Sequence, residues 1–286
     1  MNAFVRFLTA ITAMSLCLCA SAQNQAYKYV EAKELTLVGN LFPDTPNPYH
    51  RIDTVKYKGF TDKENRQVRE SSGLAVAFCT DSKSIKVKSD LDIHYGGTTG
   101  PNACGGFDLY IKRDGRWVWA SCTRGSDNPE EPIGIISDMD GTMHECLIYF
   151  PTLSEVFSMR VGVESGASIE ALPNPFRHRV AVFGSSFTQG ISISRTGMSY
   201  PMQFMRKTGF QVIPLGFSGR CMMQPYFADV LEDEQSRHQA HGLGGAAVVL
   251  AVKRGEGFLK ARPVHHVGQF VQGMAGVQHC LKIPEK

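Results

Sequence analysis

The sequence predicts two architectures in series: an all-β sandwich of jelly-roll type over residues 24–172, then a three-layer α/β domain with an incomplete parallel sheet over residues 177–286. Three observations predict this. From Tyr27 to about Leu172, short β-like runs alternate with turn residues, and helical periodicity is almost absent. Residues 171–177 (ALPNPFR) carry two prolines and an Asn, which suit a rigid connector. Beyond them, fully apolar strands alternate with helical stretches, the pattern of a parallel sheet covered by helices.

At the start of the chain, Arg6, an apolar run from Phe7 to Cys19 and the small residues Ala20, Ser21 and Ala22 read as a secretory signal peptide over residues 1–22. Leucines, where a small residue is expected, precede both Cys17 and Cys19, which argues against a lipoprotein anchor. No later stretch reaches the roughly 20 apolar residues of a membrane span, so a soluble, secreted or periplasmic protein is expected. The net charge of +3 and pI near 8.4 are mild, and the basic residues are spread along the chain, so nucleic acid is not an expected partner. Cys79, Cys104, Cys122, Cys146, Cys221 and Cys280 remain after the leader. They form no C-x-x-C pair, and disulfides and buried thiols are both compatible with their spacing.

In the first domain, strands are expected at 74–79, 84–88, 106–112, 116–120, 146–150 and 158–163. Asp114 and Gly115 supply the positive-φ pair of a tight hairpin. Trp117 and Trp119, two apart on a strand, project from one face; they either stack on sugar rings or pack internally. Asp140, Gly141 and His144 superficially resemble a catalytic Asp/His segment but read as a turn before an apolar strand.

In the second domain, a strand at 179–183 is followed by a helix at 199–208 that Gly209 stops. A strand at 210–215 and a helix at 225–234 come next. Strand ends of open α/β sheets are where ligands meet reactive groups. The first such end is Gly184-Ser185-Ser186-Phe187-Thr188-Gln189-Gly190, which sets Ser186 at the tip of a glycine-bearing turn. The second is Leu215-Gly216-Phe217-Ser218-Gly219. A serine so placed needs a base and N–H donors for an oxyanion, and the Ser186 and Gly219 N–H groups are the candidate donors.

GSSFTQG resembles the first block of the SGNH (GDSL-type) hydrolases, LGFSG resembles the second, and SRTGMSYP (194–201) resembles the branch of that family with an N-terminal β-sandwich. The resemblance covers the chain to about Asp233. It implies Ser186 as nucleophile, Gly219 as oxyanion donor, no cofactor or metal, and removal of acyl groups, typically acetyl, from polysaccharide. Ser185 stands where the GDSL form has Asp, and Pro214 where members often have Asn. The third-block Asn and the C-terminal Asp-x-x-His are missing. After Glu234 the chain has no Asp, Asn, Thr, Tyr or Trp, and none of His238, His241, His265, His266 and His279 follows an Asp by three residues. The base and its orienting partner are therefore unassigned. The tail 235–286 is expected to be poorly structured and foreign to the family, as a truncated or shifted reading frame would give. The alternative function is a glycan-binding sandwich with a vestigial hydrolase domain.

Overall fold

The computed structural model describes residues 25–231, apart from 43, 223 and 228, together with 248–251. The chain runs through β1 (Tyr27–Glu31), β2 (Thr36–Val38), α1 (Asp62–Arg69), β3 (Ala75–Thr80), β4 (Ile85–Ile93), α2 (Pro101–Cys104) and β5 (Gly106–Arg113). It continues through β6 (Arg116–Arg124), β7 (Ile133–Ile136), β8 (His144–Tyr149), β9 (Ser154–Glu164) and β10 (Ile169–Ala171). Two antiparallel sheets result: one in the order β1-β9-β4-β7, the other β10-β3-β8-β5-β6 with β2 also on β3. Strand alternation sends Val76, Phe78, Phe107, Leu109 and Ile148 from one sheet, and Val87, Met159, Val161 and Val163 from the other, into one shared core. The 113–116 connection forms as expected, with Asp114 and Gly115 at φ 49° and 72°.

Among the described residues three α-helices escape the sequence reading, the four-residue α2 and Ser186–Gln189 and the longer α1. α1 is held by a capping box in which the Thr61 hydroxyl accepts from the Glu64 N–H while Glu64 accepts from the Thr61 N–H. The signature Thr-x-x-Glu stands in the sequence at 61–64, but only eight residues follow before the helix ends at Glu70, too few to show periodicity.

β11 (Arg177–Gly184), α3 (Ser186–Gln189), α4 (Tyr200–Thr208) and β12 (Phe210–Gly216) follow the proline-rich connector, and β13 (Val248–Ala251) completes a parallel sheet in the order β12-β11-β13. α4 ends at Gly209 in the left-handed conformation, φ 74°, and residues 225–227 and 229–231 are helical. The tail is thus not wholly without structure, because 248–251 pairs with Val180–Phe183. The five tail histidines and the leader lie outside the described residues. Among the described residues no helix is long and apolar enough to cross a membrane, and Cys79, Cys104, Cys122, Cys146 and Cys221 are free thiols.

The layers differ from simple helix-on-sheet covering. Val180, Val182 and Val212 face α4 (Met202, Met205) together with Ala75, Ala77, Leu147 and Tyr149 from the outer face of the β3-β8-β5 sheet. Ala181, Phe183, Ile213 and Leu215 face Leu41, Ile52, Phe60 and Val68 from the first part of the chain, with Phe227 and Val230. The antiparallel part therefore supplies covering that helices of the second part were expected to supply. The seam is tight: a Cβ on Gly73, whose φ is +82°, would lie 2.1 Å from Pro214 Cγ. Gly73→Ala is expected to cost about 2–3 kcal/mol through this clash and the backbone conformation, read as a lowered urea midpoint; an unchanged midpoint would refute the seam.

Candidate active site

Ser186 opens α3 directly beyond the carboxyl end of β11. The turn is possible because two glycines let backbone and side chain approach closely. A Cβ on Gly184 would lie 2.0 Å from Thr188 Oγ1, and one on Gly216 2.0 Å from the Gln189 nitrogen. Gly190 leaves the turn at φ +100°. The Phe217 N–H donates to Gly184 O at 2.9 Å, locking the two strand ends together. Ser186 is half-buried, and among the described residues its hydroxyl has no hydrogen-bond partner. Gly219 is exposed, at φ +69°, with open space where a side chain would be. Phe187, Tyr200 and Met222 leave large apolar surfaces exposed nearby in the chain, and the Tyr200 hydroxyl is 2.9 Å from Thr188 Oγ1.

Beneath these turns lies a buried polar junction between the two parts of the chain. Arg51, 1% exposed, donates to Pro214 O at 3.1 Å, Gly216 O at 2.8 Å, Glu70 O at 2.9 Å and Gln67 O at 2.5 Å, and its guanidinium stands 4.8 Å over the Phe217 ring. Because the Phe217 N–H points to β11, the Pro214 and Gly216 carbonyls point to the open edge of β12, and Arg51 satisfies them. Pro214 has no N–H to leave unpaired there, which is why an edge strand accepts it. Gln189 is the matching piece from the Ser186 turn. Its Nε2 donates to Glu70 Oε2 at 2.5 Å, its Oε1 accepts from the Ser218 N–H at 2.8 Å, and its backbone oxygen accepts from Ser72 Oγ at 2.5 Å. Gln67 Nε2 closes the ring on Ser218 O at 3.0 Å. One glutamine side chain thus fixes the second turn relative to the first.

A second latch lies on the outer face of β5. Asp108, fully buried, accepts from Arg195 at 2.9 Å, from the Gly197 N–H at 2.8 Å and from Trp119 Nε1 at 2.9 Å. The Tyr110 hydroxyl accepts from Arg195 at 2.6 Å, and the Arg206 guanidinium stacks 3.9 Å over the Tyr110 ring. Burial raises the Asp108 carboxyl, and the Arg195 charge pulls it back.

The profile described as the N-terminus of SGNH-hydrolase-type esterases, named for a GxDLY motif, matches residues 27–169, and that of the GDSL-like lipase/acylhydrolase family matches residues 177–238. The chain belongs to the SGNH (GDSL-type) esterase family. A structure from Bacteroides ovatus assigned as a GDSL-like lipase is similar at 37% identity and TM-score 0.69, covering 73% of this chain and 61% of that one. This chain therefore spans about three fifths of that relative's length. A salicylyl-acyltransferase of a tetracycline biosynthetic pathway shares the fold at 18% identity and TM-score 0.58, with 72% and 59% covered. No curated protein sequence matches significantly.

The GxDLY motif is Gly106, Asp108, Leu109 and Tyr110, and two of its residues, Asp108 and Tyr110, are the ones that grip Arg195. Sequence reading took this stretch as a plain strand. The signal was an Asp inside an apolar run, alternating with Phe107 and Leu109, which the fold buries and pairs. Arg51, Glu70 and Gln189 were missed as well, since single polar residues in loops or in a one-turn helix carry no periodic mark. Trp117 and Trp119 do share a face, but it is the outer one, away from the sandwich core: Trp117 packs against Phe176 at 6.2 Å, and Arg195 stacks 4.7 Å over Trp119. Asp140 forms the expected turn, accepting from the Thr142 N–H at 2.9 Å and lying 2.8 Å from His144 Nε2.

Burial pushes the Glu70 carboxyl up to about 7, against the opposing pull of Arg51. A carboxyl raised above its unfolded value near 4.3 holds a proton in the folded state that the unfolded chain has released. Its contribution is therefore full at low pH and lost as pH rises towards 7. Glu70→Gln mimics the protonated acid. Between pH 5 and 8 the wild type is expected to lose about 2.5 kcal/mol of unfolding free energy relative to this variant; parallel pH profiles would contradict the assignment.

Proposed function

We propose that this chain is a secreted serine ester hydrolase acting on acyl, chiefly acetyl, esters of carbohydrate, with Ser186 as nucleophile. The observation that carries the reading is the Ser186 hydroxyl, without a partner among the described residues, at the end of β11 beside a second glycine turn held in register by Gln189. Ser186 Oγ attacks the ester carbonyl, and the carbonyl oxygen becomes an oxyanion received by the Ser186 and Gly219 N–H groups, neither of which has a backbone acceptor among the described residues. Collapse of this tetrahedral species expels the sugar alcohol and leaves an acyl-enzyme, which water then hydrolyses. The base that takes the Ser186 proton is unassigned; the tail histidines, which lie outside the described residues, are candidates. Family membership supports the ester-hydrolase class. The carbohydrate substrate rests on the resemblance to the sandwich-bearing branch, and secretion on the leader at residues 1–22.

A second reading, glycan binding without catalysis, is favoured by one observation: no Asp follows Glu234 to orient a histidine. Hydrolysis of p-nitrophenyl acetate by the full chain separates the two. The esterase reading expects Ser186→Ala to lower turnover by about a thousandfold or more, to the background rate. Equal rates for wild type and variant, both folded, favour the binding reading.

A further inference from the structure

The basic residues that are dispersed in the sequence converge in space at one cleft. Trp117 on β6, Phe176 of the connector and the end of α4 enclose about 470 Å³. Its walls carry Lys112, Arg116, Arg177, Arg206 and Lys207, drawn from three separate stretches of chain, and among the described residues no carboxylate lines it. Only Lys112 is neutralised, by Glu145 at 2.7 Å; among the described residues the other four cations make no ion pair. Arg206 is fixed, donating to Gly197 O at 2.7 Å and stacked on Tyr110, so it supplies field and no reach. Arg116, Arg177 and Lys207 are exposed and free to close on a ligand. The floor is aromatic, and the indole N–H of Trp117 has no partner among the described residues.

Four uncompensated positive charges around one concavity repel each other and focus a positive potential that an anion relieves. Guanidinium forks favour planar carboxylates, which they bind through paired hydrogen bonds. An aromatic floor with a donor at its edge adds a surface for the apolar face of a pyranose ring. We propose that this cleft binds an acidic saccharide, one bearing uronate carboxylates, at a site separate from Ser186. Arg116, Arg177 and Lys207 would hold the carboxylates while Trp117 underlies a ring. The proposal stands whether or not Ser186 is catalytic: a hydrolase would gain an anchor for acidic polysaccharide, and an inactive chain would still bind it.

The test is calorimetric titration of the full chain with a galacturonate oligomer, alongside a neutral cello-oligosaccharide, a heparin-derived sulfated oligosaccharide and a polyphosphate of similar length. Saturable binding of the galacturonate oligomer is expected. It should weaken about tenfold or more in R116E/K207E, whose two positions are exposed and tolerate the change in fold, weaken again in W117A, and remain unchanged in S186A. Preference for the sulfated sugar with the same variant pattern would overturn the uronate assignment. No saturable binding, binding insensitive to R116E/K207E, or equal binding of polyphosphate unaffected by W117A would overturn the site.

Discussion

The buried guanidinium of Arg51 is the constraint on which the rest of this structure depends. It comes from a loop of the antiparallel part and terminates on two carbonyls of the parallel part's edge strand, Pro214 O and Gly216 O. Burial lowers its pKa to about 10, so it stays charged at neutral pH, and a buried charge is tolerable only with its donors satisfied. Removing such a partner from a buried charged network costs about 3–5 kcal/mol in other proteins. The interaction makes the two parts of the chain interdependent: the parallel sheet's outer edge is finished by residues that precede it by more than a hundred positions.

The candidate site rests on that junction. Gln189 joins the Ser186 turn to Glu70 on one side and to the Ser218 N–H on the other, so the distance between the two glycine turns is set by a side chain that neither turn would need for its own conformation. Asp108 performs a related task on the far face of the same sheet, holding Arg195 and the Gly197 N–H and thereby the segment that leads into α4. The sandwich therefore acts as a mould for the strand-end turns, and the motif that names its family is a latch of that mould.

Much of this fold was legible in the sequence because its signals are local. Alternating apolar residues gave six of the antiparallel strands, Asp114-Gly115 gave the hairpin, and Gly209 gave the end of α4. β1, β2, β7 and β10 are short edge or near-edge strands with little alternation, and they escaped. So did α1, whose only mark is its capping box. In the candidate site, Ser186 and Gly219 were readable because strand-end glycines punctuate an apolar run. Arg51, Glu70 and Gln189 were not, because their meaning arises only when segments far apart in sequence meet in a buried space. The same holds for the basic cleft: its cations look scattered along the chain and gather only in the fold.

The central claim is that this assembled pair of turns presents Ser186 as a reactive nucleophile. Incubating the full chain with a fluorophosphonate and mapping the adduct by peptide mass spectrometry tests it most directly. The account predicts a single phosphonylated residue, Ser186. Labelling at another serine, or a folded protein that remains unlabelled under conditions where a known serine esterase reacts fully, would contradict it.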